Sequence, residues 1–140
     1  MKIVALIIAL ILGCNAYSQE LNDLGVITYQ QVIKMNSTNP CEETLNKVLT
    51  YCVEDGSYIS YTFKYNKLNG IIFLTPYLNK SIADRALEND VSTFSSKVRK
   101  QPIYKSGMAY FPMTSEIGVS FEVINYNGTY YVNYSTLLLN

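Results

Sequence analysis

Ile59-Ser60-Tyr61-Thr62-Phe63-Lys64-Tyr65-Asn66 is the stretch that decides the fold. Ile59, Tyr61, Phe63 and Tyr65 alternate strictly with Ser60, Thr62, Lys64 and Asn66. Alternation with a period of two puts the apolar set on one face of a strand and the polar set on the other. A half-buried strand is therefore expected here. Asn66 to Gly70, ending in Asn69-Gly70, is a hairpin signal leading into a second strand, Ile71 to Leu78, where Pro76 marks an edge or a strand end. The local pattern thus points to paired antiparallel strands.

On the C-terminal side, Ser81 followed by Asp84 resembles a capping box, and Leu87, Val91, Phe94 and Val98 recur at helical spacing. A helix from Ile82 to Val98 is expected, its Lys97, Arg99 and Lys100 facing solvent at the negative end of the dipole. Pro102 stops it. Strands are expected at Ile103 to Met113, Val119 to Tyr126 and Thr129 to Ser135, the last two joined through Asn127-Gly128, a strong hairpin dipeptide. On the N-terminal side, Val26 to Met35 alternates well enough for a further strand, with Ile27, Tyr29, Ile33 and Met35 on one side. The fold class is accordingly α+β: a curved antiparallel sheet of five or six strands with one or two helices packed on it.

The chain has 140 residues, 49% hydrophobic and 16% charged, which suits one globular domain and argues against disorder. Eleven Lys and Arg balance eleven Asp and Glu. Without a basic excess there is no electrostatic case for a nucleic-acid partner. The absence of His removes Ser-His-Asp and Cys-His catalysis and His-ligated metal sites. No phosphate-cradling motif is present, and Glu88, Asn89 and Asp90 lack the spacing and glycine of a calcium loop, so no cofactor or metal is expected.

Met1 and Lys2 precede an unbroken apolar run from Ile3 to Leu12 and a small, polar stretch from Gly13 to Gln19. A spanning helix needs about 20 apolar residues, and this run is far shorter. It reads as a signal peptide over residues 1–18, followed by a single β-rich exported domain over 19–140. Two cleavage readings compete. Ala16 and Ser18 suit a cut before Gln19, whereas Ile11-Leu12-Gly13-Cys14 fits a loose lipobox with Cys14 lipidated. The expected location is secreted or periplasmic, or lipid-anchored at the cell envelope, with membrane contact only through that anchor.

Either cleavage uses up Cys14 and leaves Cys41 and Cys52 in a disulfide-permissive compartment. A bridge is one reading. A helix is the other: Pro40 suits a first turn, Glu42 and Glu43 complement the N-terminal dipole, and Cys41, Leu45, Val48, Leu49 and Cys52 share a face. Across such a helix the two Cα atoms would lie about 16 Å apart, against the roughly 7 Å that a disulfide tolerates. The two exclude each other, and the apolar stripe favours the helix.

Thirteen Tyr and five Phe, with no Trp, are the feature that points furthest towards function. A tyrosine buries a ring and keeps a hydroxyl wet, which suits a binding surface as well as a core. Tyr61, Phe63, Tyr65, Phe121, Tyr130 and Tyr134 are the candidate lining of a ligand cavity on the concave face. The acidic pairs Glu42-Glu43, Glu54-Asp55 and Asp84 with Glu88 fall at expected helix starts, turns and exposed faces. Sequons at Asn36, Asn79, Asn127 and Asn133 matter only in a eukaryotic secretory route.

The leader ending Asn15-Ala16-Tyr17-Ser18-Gln19 looks like those of exported Bacteroidota proteins. Gly25-Val26-Ile27-Thr28-Tyr29, then a helical segment, then Tyr61-Thr62-Phe63-Lys64-Tyr65-Asn66 leading into Ile71-Ile72-Phe73, resembles the N-terminal part of the GLPGLI family of secreted proteins. Gly128-Thr129-Tyr130-Tyr131-Val132 is similar to that family's Gly-x-x-aromatic-Leu-Ile step. The Gly-Leu-Pro-Gly-Leu-Ile motif itself is absent. The resemblance implies an exported, antiparallel β-rich fold without assigned catalytic residues. The expected function is a non-enzymatic envelope or secreted protein that binds an apolar small molecule or an envelope protein on its aromatic sheet face. A carboxylate-dependent hydrolase of envelope glycans is the alternative.

Overall fold

The computed structural model describes residues 23–139; the leader, both cleavage readings and Cys14 lie outside them. Among the described residues the chain runs α1 (Tyr29–Met35), β1 (Glu42–Thr44), β2 (Val48–Cys52), β3 (Tyr58–Lys64), β4 (Lys67–Tyr77), α2 (Lys80–Val98), β5 (Ile103–Lys105), β6 (Met108–Pro112), β7 (Ile117–Tyr126) and β8 (Thr129–Leu138). All eight strands form one antiparallel sheet in the order β1-β2-β3-β4-β8-β7-β6-β5. The protein is thus mostly antiparallel sheet with two helices, but the expected five or six curved strands are corrected. The sheet has eight strands, is open at β1 and β5, and is not strongly curled.

Part of the added strand count comes from Cys41 to Cys52. The helix expected there is a hairpin: Glu42 faces Thr50 and Thr44 faces Val48 around a three-residue loop, with Asn46 in the left-handed region at φ 58°. Its ends are joined by a Cys41–Cys52 disulfide with a Cα–Cα distance of 5.8 Å. The segment satisfies two periods at once. Leu49 and Tyr51 also alternate, and both are buried. Ile103 to Met113 is likewise two strands, β5 and β6, turned at Ser106-Gly107, both at positive φ.

Val26 to Met35 is corrected in the other direction. Thr28 accepts from the Gln31 amide at 3.3 Å while the Gln31 side chain accepts from the Thr28 amide at 2.9 Å, a reciprocal capping box that starts α1. Tyr29 and Val32, three apart, go into the core. The clear strand Ile59 to Phe63 forms as expected. Its turn, however, is Tyr65-Asn66, at φ 53° and 57°, and not Asn69-Gly70. Asn69 is an extra residue in β4 where the register shifts, and Gly70 is needed because a Cβ there would meet Leu137 Cδ2 at 2.5 Å and Thr62 Oγ1 at 2.6 Å. The Asn127-Gly128 hairpin forms as read.

Helix α2 begins two residues earlier than expected. Asn79 is its cap and takes the Ile82 amide at 3.0 Å, while Asp84 pairs with Lys80 at 2.6 Å. Both helices lie on the same face of the sheet. Under α1 sit Leu49, Tyr51, Ile59, Phe63, Leu68, Ile71 and Phe73, and under α2 sit Ala109, Phe111, Val119 and Phe121. Register pairs these residues across neighbouring strands, so a single apolar face carries two clusters, with half-buried Tyr134 against both.

Candidate functional site

Strand β4 outruns β3. Tyr58 pairs with Leu74, and the last three residues of β4, Thr75, Pro76 and Tyr77, pair only with β8. Because neighbours are antiparallel, the β2–β3 turn and the β7–β8 turn lie at this same end of the sheet. Pro76, which has no amide to donate, is tolerated where β3 has already ended. The β2–β3 turn folds towards it: a Cβ on Gly56, at φ 84°, would lie 3.4 Å from Pro76 Cγ. Directly after β4 the chain enters the first turn of α2.

These segments enclose an open cleft of about 560 Å³ lined by Asp55, Pro76, Tyr77, Leu78, Ile82, Gly128 and Thr129. Leu78 is 94% exposed, so its side chain is held for no core contact. Tyr77 lies opposite Tyr130 across the β4–β8 pair, and Tyr58 and Tyr131 pack 5.9 Å apart close by. Burial, and then the charge of Asp90, push the Tyr77 phenol above its usual range. Asp90 sits half-buried on α2, and burial pushes its carboxyl up to about 6. Asp55 goes the other way. The Ser57 amide donates to its Oδ1 at 2.8 Å and holds its carboxyl below the usual range.

The six aromatics singled out from the sequence do not line one cavity. Phe121 and Tyr134 come together, 5.0 Å apart, beneath Phe94 of α2. Phe63 is buried under α1, edge-on to Tyr29 at 5.3 Å, and Tyr61 meets Tyr51 at 6.0 Å. Tyr65 stands 90% exposed on the β3–β4 turn, and only Tyr130 reaches the end of the sheet beside the cleft. The helices occupy the face that the alternation marked for a ligand. Of the residues that line the cleft, Asp55, Pro76 and Gly128 are read from the sequence only as an acidic turn, a strand end and a hairpin, and Tyr77, Leu78, Ile82 and Thr129 carry no signal of a site. The turns at Glu54-Asp55-Gly56 and Asn127-Gly128 are legible, but that they share an end of the sheet follows only once β4 is known to lie beside β8.

Among the described residues no group of three or more His, Cys, Asp and Glu is placed to hold a metal ion, and no helix is long and apolar enough to cross a membrane. No protein-family model, curated protein or solved structure matches the chain.

Proposed function

We propose that the protein is an exported, non-enzymatic binding protein that holds the apolar part of a small ligand in the cleft at the end of the sheet. The observation that carries this reading is the cleft itself: a concavity of about 560 Å³, within the size range of small-molecule sites, with Pro76, Tyr77, Leu78 and Ile82 as its apolar wall. Export is supported by the leader-like residues 1–18 and by the Cys41–Cys52 disulfide, since such bonds persist in oxidising compartments. Kinship with the GLPGLI family belongs to the same proposal and is supported by the leader and by the hairpin from Tyr61 to Phe73.

Titration with an apolar fluorescent probe tests the reading. Saturable binding is expected, and Ile82→Asp, which sets a charge on the exposed first turn of α2, should abolish it. Non-saturable binding, or binding indifferent to that change, rejects the cleft as the site.

A second reading, a carboxylate-dependent hydrolase of envelope glycans, draws on the split between Asp90, raised to about 6, and Asp55, held low. Asp90 stands behind Tyr77 on α2 and outside the lining of the cleft, so binding is the better supported of the two. Glycan cleavage abolished by Asp90→Asn would reverse that order.

A further inference from the structure

Among the described residues the cleft is apolar over most of its wall and carries one charge, Asp55. The Ser57 amide donates to that carboxylate at 2.8 Å and holds it below its usual range, and its two oxygens offer about four acceptor positions in all. Among the described residues no lysine or arginine lines the cleft. Lys80, at the start of α2, is tied to Asp84 at 2.6 Å, and the α2 amide that faces outward at Ile82 is already taken by Asn79 Oδ1 at 3.0 Å. Lys80, the cation nearest in sequence to the apolar wall, is thus engaged elsewhere.

This arrangement selects among ligands by charge. An anion meets Asp55 with repulsion. A neutral apolar molecule strips water from the carboxylate and gives nothing back, which is costly for an ionised group. A cation with a methylated surface avoids both penalties: it satisfies Asp55 through space and lays its methyl groups on an aromatic face, which attracts positive charge. We propose that the cleft takes a small quaternary-ammonium compound, its nitrogen beside Asp55 and its methyl groups against Tyr77 and Ile82. This rests on the binding reading above and gives that site its ligand class.

Choline and its uncharged isostere 3,3-dimethylbutan-1-ol have the same shape and differ in the charge, so calorimetric titration of the purified protein with each isolates the electrostatic part. Choline should bind at least about tenfold more tightly. Asp55→Asn keeps an Oδ1 acceptor for the Ser57 amide and hence the turn, and should bring the ratio of the two affinities close to one. Tyr77→Leu should also lower the ratio, by removing the ring. Equal affinities for both compounds in the unaltered protein overturn the charge selection while leaving an apolar site standing. A choline preference that survives Asp55→Asn overturns the assignment of Asp55. Failure of both compounds to bind overturns the ligand class, and the apolar-probe titration then decides separately whether the cleft binds anything.

Discussion

Tyrosine is a poor choice for a left-handed turn position, yet Tyr65 stands there at φ 53°, followed by Asn66 at φ 57°. Such turns favour Asn-Gly, because a bulky side chain is strained at positive φ. Tyr65→Asn combined with Asn66→Gly should raise stability by about 1 kcal/mol, read from the urea midpoint at constant slope. A loss would show that the Tyr65 ring, with the Lys64 ammonium 5.5 Å from its centroid, stabilises more than its backbone costs. Asp90 ties stability to pH. Its folded-state pKa of about 6 lies above the ordinary 3.8, so the folded state holds the extra proton between those values. Stability contributed by the protonated form is complete below about pH 4 and is lost as pH rises through 6. Asp90→Asn should remove that slope and gain about 1 kcal/mol at neutral pH, allowing for solvent screening of the half-buried group. Thermal melts at pH 4, 5, 6 and 7 check it; an unchanged slope assigns the pH dependence to other groups.

Among the elements, edge strand β1 is held partly by contacts from outside the sheet. It is a three-residue, fully exposed edge strand, fastened by the disulfide and by the hydrogen bond that the Tyr29 hydroxyl of α1 donates to Glu43. Burial, then Glu43, push that phenol up to about 12. The bridge closes a short loop, for which the unfolded-chain entropy amounts to about 3 kcal/mol. Cys41→Ser with Cys52→Ser should lower stability by about that amount and raise amide exchange in residues 41–52 first. Uniform loss of protection across the sheet would show instead that β1 is part of the cooperative unit. The other edge is guarded differently. Lys100, expected as a solvated helix end, donates from Nζ to the Pro112 and Met113 carbonyls at 2.9 and 3.3 Å, which occupies the rim of β6 beyond β5. Helix periodicity marks Lys100 as exposed and cannot show that an edge strand passes within its reach.

Over the whole molecule, one sheet face serves two helices. Phe94→Ala, which empties the site beneath α2 against Phe111, Phe121 and Tyr134, should cost about 3 to 5 kcal/mol. Val32→Ala, on α1, acts on the other cluster, and the two losses should add to within about 0.5 kcal/mol. Urea unfolding should stay a single transition, because β4 and β8 join both halves in one continuous ladder. Two resolved transitions would show the halves unfolding separately. The same central pair fixes the candidate site: setting β4 beside β8 brings the turn at Asp55 and the turn at Gly128 to either side of Tyr77.

Local side-chain periodicity determined the strand at Ile59 to Phe63, the body of α2 around Val91 and Phe94, and the Asn127-Gly128 hairpin, because each rests on contacts a few residues apart. The apolar stripe of Cys41 to Cys52 favoured a helix over a bridge, and the bridged hairpin was decided by pairing β2 with β3 and burying Leu49 and Tyr51, both non-local. The aromatic alternation located a buried face without saying what covers it. Two helices cover it, so the open concavity falls at the end of the sheet, where residues distant in sequence meet only through strand order.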